Sequence, residues 1–169
     1  MRLDQILALG EQLQVNKHDY LLKEGSKADR LFFVDKGLIR AFYLKDGKEV
    51  TDWFGTAGTF ITSIQGYYGN QHSTQYLEAL ENSSIYTIRK TVVEQACQRD
   101  PLLEQSYREV ITQHLMRLQE RITALQFYTA KERYDLLLKK NPYVVQRAPR
   151  THIASYLGIS LETLSRLKQ

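Results

Sequence analysis

The twenty residues from Arg150 to Gln169, Arg-Thr-His-Ile-Ala-Ser-Tyr-Leu-Gly-Ile-Ser-Leu-Glu-Thr-Leu-Ser-Arg-Leu-Lys-Gln, allow few folds. Ile153, Ala154 and Leu157 recur at helical spacing behind Thr151, a residue suited to capping a helix. Gly158 can take the left-handed conformation that ends a helix, because it has no Cβ to clash. Ser160 then stands where it can cap a second helix carrying Leu161, Leu164 and Arg166. The third residue after that cap is Thr163, not Glu or Gln, so no full capping box is present. Ala154 is small enough for the second helix to cross closely, and Ile159 can fill the gap between the two. Such a pair is either an ordinary helical hairpin or a helix-turn-helix, whose second helix enters the DNA major groove.

Charge favours the second reading. Residues 129 to 169 hold eight basic residues against three acidic ones, Glu132, Asp135 and Glu162. Residues 1 to 128 hold fifteen basic against sixteen acidic. The positive excess is therefore confined to the segment with the candidate DNA reader, where counterion release from phosphates can supply affinity.

At 169 residues, 43% hydrophobic and 25% charged, the chain has the makings of one or two soluble globular domains. It has no apolar run long enough to span a bilayer, and no signal-peptide core follows Met1, so a cytoplasmic protein with no membrane partner is expected. The lone Cys97 excludes an internal disulfide framework and any four-cysteine cluster built by one chain. His18, His72, His114 and His152 are scattered, which disfavours haem or another metal centre.

Along the chain, residues from about 2 to 14 predict an amphipathic helix with Leu3, Ile6, Leu7, Leu9 and Leu13 on its apolar side. From about 15 to 90, short β-prone runs alternate with turn signals. Leu31–Val34 precedes Asp35-Lys-Gly37, and Asp46-Gly47 between two runs predicts a hairpin. Seven or eight such strands predict an antiparallel roll or jelly roll. After Lys90 the period becomes helical, with Thr91 able to cap a short helix and Asp100-Pro101 opening a long one. In that helix Ile111, Leu115, Leu118, Ile122 and Leu125 are spaced 4-3-4-3. The pattern fits a dimer seam of two heptads or one helix packed on its own β domain. Thr129 with Glu132 predicts a capping box, and Asn141-Pro142 ends the helix that follows. Tyr143–Arg147 reads as a short extended piece. With little chain beyond Arg166, that stretch is the expected source of any supporting wing.

This order of parts resembles a Crp/Fnr-type transcriptional regulator with a divergent sensor. The segments that carry the resemblance are Thr129-Ala-Lys-Glu-Arg133, Ile153-Ala-Ser-Tyr-Leu-Gly-Ile-Ser160 and Glu162-Thr-Leu-Ser-Arg166. Lys23-Glu-Gly25 and Leu31-Phe-Phe-Val-Asp-Lys-Gly-Leu-Ile-Arg40 add to it. The resemblance implies an α+β protein of three parts. These are a cyclic-nucleotide-binding-like β-roll over 1–100, a dimerisation helix over 101–128 and a winged-helix-like helix-turn-helix over 129–169. It implies double-stranded DNA and a second copy of the chain as partners, with RNA polymerase as a further one. Ser160 and Thr163 would touch phosphate, and Arg150 and His152 would position the module near the backbone. Leu161, Glu162 and Arg166 would face base edges. Arg can bond guanine O6 and N7 together, Glu can accept from cytosine N4, and Leu offers an apolar contact.

Cyclic-nucleotide binders of this family carry a Gly-Glu pair and, some ten residues on, an Arg followed by Ser or Thr and Ala. The acid holds the ribose and the Arg neutralises the phosphate, as a buried anion requires. The stretches taken as corresponding are Gly58-Thr59-Phe60 and His72-Ser73-Thr74, which lack both charges. No cofactor and no tight binding of cyclic AMP are expected, while another small-molecule effector remains open, with Tyr67, Tyr68 and Tyr76 adding aromatic surface. The alternative function is a small-molecule β-roll module whose basic tail binds a protein. An enzyme of the cupin kind would need clustered metal ligands, and residues 30 to 90 show no His-x-His.

Overall fold

The computed structural model describes residues 3–167, in which eight strands and eight helices follow one another. The strands are β1 (Glu11–Val15), β2 (Tyr20–Leu22), β3 (Arg30–Lys36), β4 (Leu38–Lys45), β5 (Lys48–Thr56), β6 (Thr59–Ile61), β7 (Tyr76–Ala79) and β8 (Ser83–Arg89). They form two four-stranded antiparallel sheets, ordered β1-β8-β3-β6 and β2-β7-β4-β5. The helices are α1 (Leu3–Leu7), α2 (Ile64–Gly69), α3 (Lys90–Arg99), α4 (Pro101–Phe127), α5 (Ala130–Lys140), α6 (Pro142–Arg147), α7 (Arg150–Leu157) and α8 (Leu161–Leu167). The expected β-roll followed by a long helix and a helical C-terminal module is what the chain forms.

Strand alternation divides the apolar residues between two faces. On β3, Phe32 and Val34 point between the sheets to meet Ile39, Ala41, Ile61, Leu77 and Ile85. Leu31 and Phe33 point outward, where Ile6, Tyr67, Val93, Leu103 and Val110 of α1 to α4 cover them. The other sheet is covered at one end by the C-terminal helices, with Leu38, Phe54 and Leu80 packed on Tyr134, Leu137, Val144, Ile153, Ala154, Leu157 and Leu164.

Local chemistry sets the connections. Asp46 and Gly47 both have positive φ, 51° and 73°, between paired Lys45 and Lys48, which is the two-residue turn that matches strand twist. The β4–β5 register shifts between Ala41 and Phe42, so Trp53 faces Ala41 and Thr51 faces Phe42. Asp52 is the extra residue of this bulge, and it accepts a 2.7 Å hydrogen bond from Gln75 Nε2. Asp100 caps α4 through Leu102 N at 2.9 Å, with Pro101 at the first helical position.

The structure corrects three expectations. The N-terminal helix ends at Leu7 instead of running to about residue 14, and Glu11–Val15 is strand β1 against β8. Gly10 lies so close to β8 that a Cβ there would come within 2.6 Å of the Thr87 carbonyl oxygen, so the chain turns into the sheet. Residues 143 to 147 are helical, not extended, and supply no wing. Pro142 opens α6, and Tyr143 and Arg147, one helical turn apart, both reach Glu81 at the end of the roll. Neither Thr91 nor Thr151 caps a helix: α3 begins at Lys90 and α7 at Arg150, each without a side-chain cap.

Candidate nucleic-acid interface

The C-terminal module is assembled from its caps inward. Thr129 and Glu132 form the expected capping box at the start of α5. Gly158 ends α7 in the left-handed region, at φ 65° and ψ 38°, and Ile159 N returns to Ala154 O at 3.0 Å. Ser160 Oγ then accepts from Thr163 N at 3.1 Å and contacts Thr163 Oγ1 at the same distance, which starts α8. Ala154 and Leu164 are buried at the crossing and Ile159 is partly buried beside them, as the side-chain sizes predict.

This packing fixes what α8 presents. Leu164 points inward, while Ser160, Leu161, Glu162 and Arg166 are exposed and Thr163 is half-buried. Ser160 and the local backbone hold the Glu162 carboxyl below its usual range, so it is ionised at neutral pH. Five of the seven candidate DNA-contacting residues thus share one short helix and its cap. Arg150 is exposed at the start of α7. His152 stands apart, turned to the β-roll with its Nε2 3.8 Å from Glu49 Oε2.

The module rests on the sheet through α7. Ser155 Oγ accepts from Thr51 N at 2.9 Å. Arg121, from α4, donates to Tyr156 O at 3.0 Å, and Arg133, from α5, donates through Nε to Leu157 O at 2.9 Å. The last carbonyls of α7 are therefore held by two guanidinium groups. Beneath α7, Arg40 is 1% exposed and lies 3.2 Å from Glu78 Oε2. The sequence alone assigned no role to Arg40, Arg121 or Ser155. The one available signal was an arginine inside the apolar run Leu38-Ile-Arg-Ala-Phe42.

The family model described as cyclic nucleotide-binding domain matches residues 12–100, from β1 to the start of α4. The chain belongs to that family, as a Crp/Fnr-type regulator.

Its relatives agree. The regulator is 26% identical to the transcriptional regulatory protein btr of Bordetella pertussis, over 91% of this chain and 73% of that one. It is 27% identical to the fumarate and nitrate reduction regulatory protein of Vibrio cholerae, over 98% and 70%. Its fold is that of FixK2 from Bradyrhizobium japonicum, with a TM-score of 0.80 at 22% identity over 94% of this chain and 82% of that one.

In the regulator's sensor part, the six candidate effector residues do not converge. Gly58 lies in the β5–β6 turn and Thr59 opens β6, where Thr59 Oγ1 donates to Thr56 O at 2.7 Å. Phe60 is buried against Phe33, with ring centroids 5.0 Å apart. Ser73 is 2% exposed and donates to Gln75 O, while His72 bridges to Lys27. Thr62 and Ser63, just ahead of α2, are buried beside this region. The aromatic residues scatter too: Tyr67 sits in the core under α3 and α4, and Tyr76 stacks on Phe42 at 5.0 Å.

The five apolar residues spaced 4-3-4-3 all lie on α4. Leu115, Ile122 and Leu125 are 63%, 49% and 43% exposed, with Ile111 and Leu118 half-buried between them. Met116 and Phe127 extend this apolar surface. Among the described residues, no helix is long and apolar enough to cross a membrane.

Proposed function

We propose that this regulator controls transcription by binding palindromic double-stranded DNA as a homodimer, without catalysing a reaction. The observation that carries the reading is the set Ser160, Leu161, Glu162, Thr163 and Arg166 on α8 and its cap, all exposed but the half-buried Thr163, held in a helix-turn-helix by buried Ile153, Ala154, Leu157 and Leu164. Arg166 reads guanine, Glu162 reads cytosine, and Ser160 and Thr163 fix the helix against phosphate. The 4-3-4-3 apolar stripe of α4 supplies the two-fold axis that a palindromic site needs. RNA polymerase is a partner by family resemblance.

The sensor does not bind cyclic AMP tightly. Thr59 and His72, where the resemblance puts the acid and the cation, supply neither a carboxylate for a ribose nor a guanidinium for a cyclic phosphate, and a buried phosphate without a cation is strongly disfavoured. Micromolar affinity in a calorimetric titration would refute this part.

Selection of bound sequences from random DNA tests the whole. The parent protein is expected to enrich an inverted repeat. Arg166→Ala is expected to lose one guanine preference per half-site while non-specific binding persists. No enrichment by the parent, or unchanged preference in the variant, counts against the reading.

A further inference from the structure

The geometry points to a binding site for a small amphipathic organic anion, a carboxylate or phosphate on an apolar body of about one ring, between the β-roll, α4 and the C-terminal module. The site is a cavity of about 310 Å³, the low end of the range for small-molecule sites. It does not use the family's nucleotide segment: of the six candidate effector residues, Thr59 alone lines it.

Its walls and its charges call for different halves of one molecule. Phe54, Leu125, Leu137 and Tyr156 give it apolar surface, with the Phe54 and Tyr156 rings 5.3 Å apart. Arg117, Arg121, Arg133 and Lys140 also line it, against Glu120 as the one carboxylate. Lys140 is paired with Glu120. Arg121 and Arg133 are turned to the α7 carbonyls, and Asp52 is 4.0 Å from Arg121. Arg117 has no carboxylate within 4.0 Å among the described residues. It is half-buried, and it pushes the nearby His114 further below its ordinary pKa. A half-buried guanidinium beside an apolar hollow, without its own anion, is the arrangement that a carboxylate or phosphate satisfies bidentately. An anion there also meets Arg121 and Arg133, the two groups that hold the end of α7.

Trp53 is the single tryptophan of the chain and lines the same cavity, so its fluorescence reports occupancy directly. The probes are cyclohexanecarboxylate, cyclohexyl phosphate and the neutral cyclohexylmethanol, titrated into the full chain. Saturable change with a midpoint of about a millimolar or below is expected for at least one anion. The alcohol is expected to bind roughly tenfold more weakly, the size of one charge-assisted hydrogen bond. The stronger of the two anions identifies the head group. Arg117→Met should weaken the anion by a similar factor and leave the alcohol unchanged, with Lys140→Gln as a second, smaller loss. No saturable change for either anion, equal binding of the alcohol, or an unaltered Arg117→Met overturns the site. The DNA-binding reading does not enter this test.

Discussion

Arg121 Nη1 donates a 3.0 Å hydrogen bond to the backbone carbonyl of Tyr156, and the same guanidinium lies 4.1 Å over the Tyr156 ring. One side chain of α4 thus fixes both the backbone and the side chain at the end of α7. Its Nη2 also reaches Thr51 O of β5 at 3.4 Å, so three parts of the molecule meet on one residue. Arg121→Ala is expected to cost about 2 kcal/mol, the sum of a charge-assisted hydrogen bond and a partly desolvated cation–π contact. The loss should concentrate in α7. Hydrogen exchange would show α7 amides opening faster while β3 and β8 amides change little. Uniform exchange rates between variant and parent would count against this role.

Acid should destabilise the fold. Burial, and then the Arg40 cation, hold the His152 ring below its ordinary pKa of 6.5, and burial followed by Arg117 does the same to His114. Both rings are neutral in the fold, while the unfolded chain takes up protons first. The stability tied to their neutrality is full above pH 6.5 and drains away as pH falls toward the depressed folded values. A thermal melt series from about pH 7.5 to about 5.5 should show falling Tm before the carboxylates titrate. His152→Gln should flatten part of that slope, and an equally steep slope in the variant would sink the assignment.

The capping box of α5 gives a cleaner test of local stability. Thr129 N and Oγ1 both donate to Glu132 Oε2, at 2.7 and 2.8 Å, and Glu132 N returns to Thr129 Oγ1 at 3.3 Å. These bonds hold the Glu132 carboxyl below its usual range. Thr129→Ala should lower unfolding free energy by about 1 kcal/mol, and Thr129→Ser should restore most of it. Urea midpoints at unchanged m-value are the measurement.

The α4 stripe makes a prediction about mass. Ile122 is 49% exposed in one chain, so Ile122→Glu should leave the protomer fold intact. Placed on a two-fold seam, the same change sets like charges against each other across the axis. Light scattering should show the parent near twice the chain mass and the variant near one chain mass. Operator affinity should fall with it. A variant that stays dimeric would move the seam elsewhere.

What was legible in the sequence is what local chemistry decides. The Asp46-Gly47 turn, the Asp100 cap, the Thr129–Glu132 box and the Gly158–Ser160 junction depend on neighbours a few residues away, and they stand where the residues put them. Leu3, Ile6 and Leu7 suggested a longer helix because no local rule shows that Gly10 must pass against Thr87. Val144 and its neighbours read as extended, since Tyr143-Val-Val is β-prone by composition. Pro142 and the pull of Glu81 on Tyr143 and Arg147 make the segment a helix. Of the cavity cations, Arg133 stood out in the sequence only as part of a motif and Arg117 not at all. Their shared hollow exists only once α4, α5 and α7 are brought together.

Buried Arg40 carries a last consequence. Its Nε and Nη1, together with Nδ1 of His152, have no hydrogen-bond partner while α7 covers them. Lifting α7 would hand all three atoms to water, which recovers hydration at the moment apolar contact is lost. Seating α7 therefore carries the cost of drying three polar atoms, against which Ser155, Arg121 and Arg133 hold the helix down. A sheet face that was apolar throughout would carry no such cost.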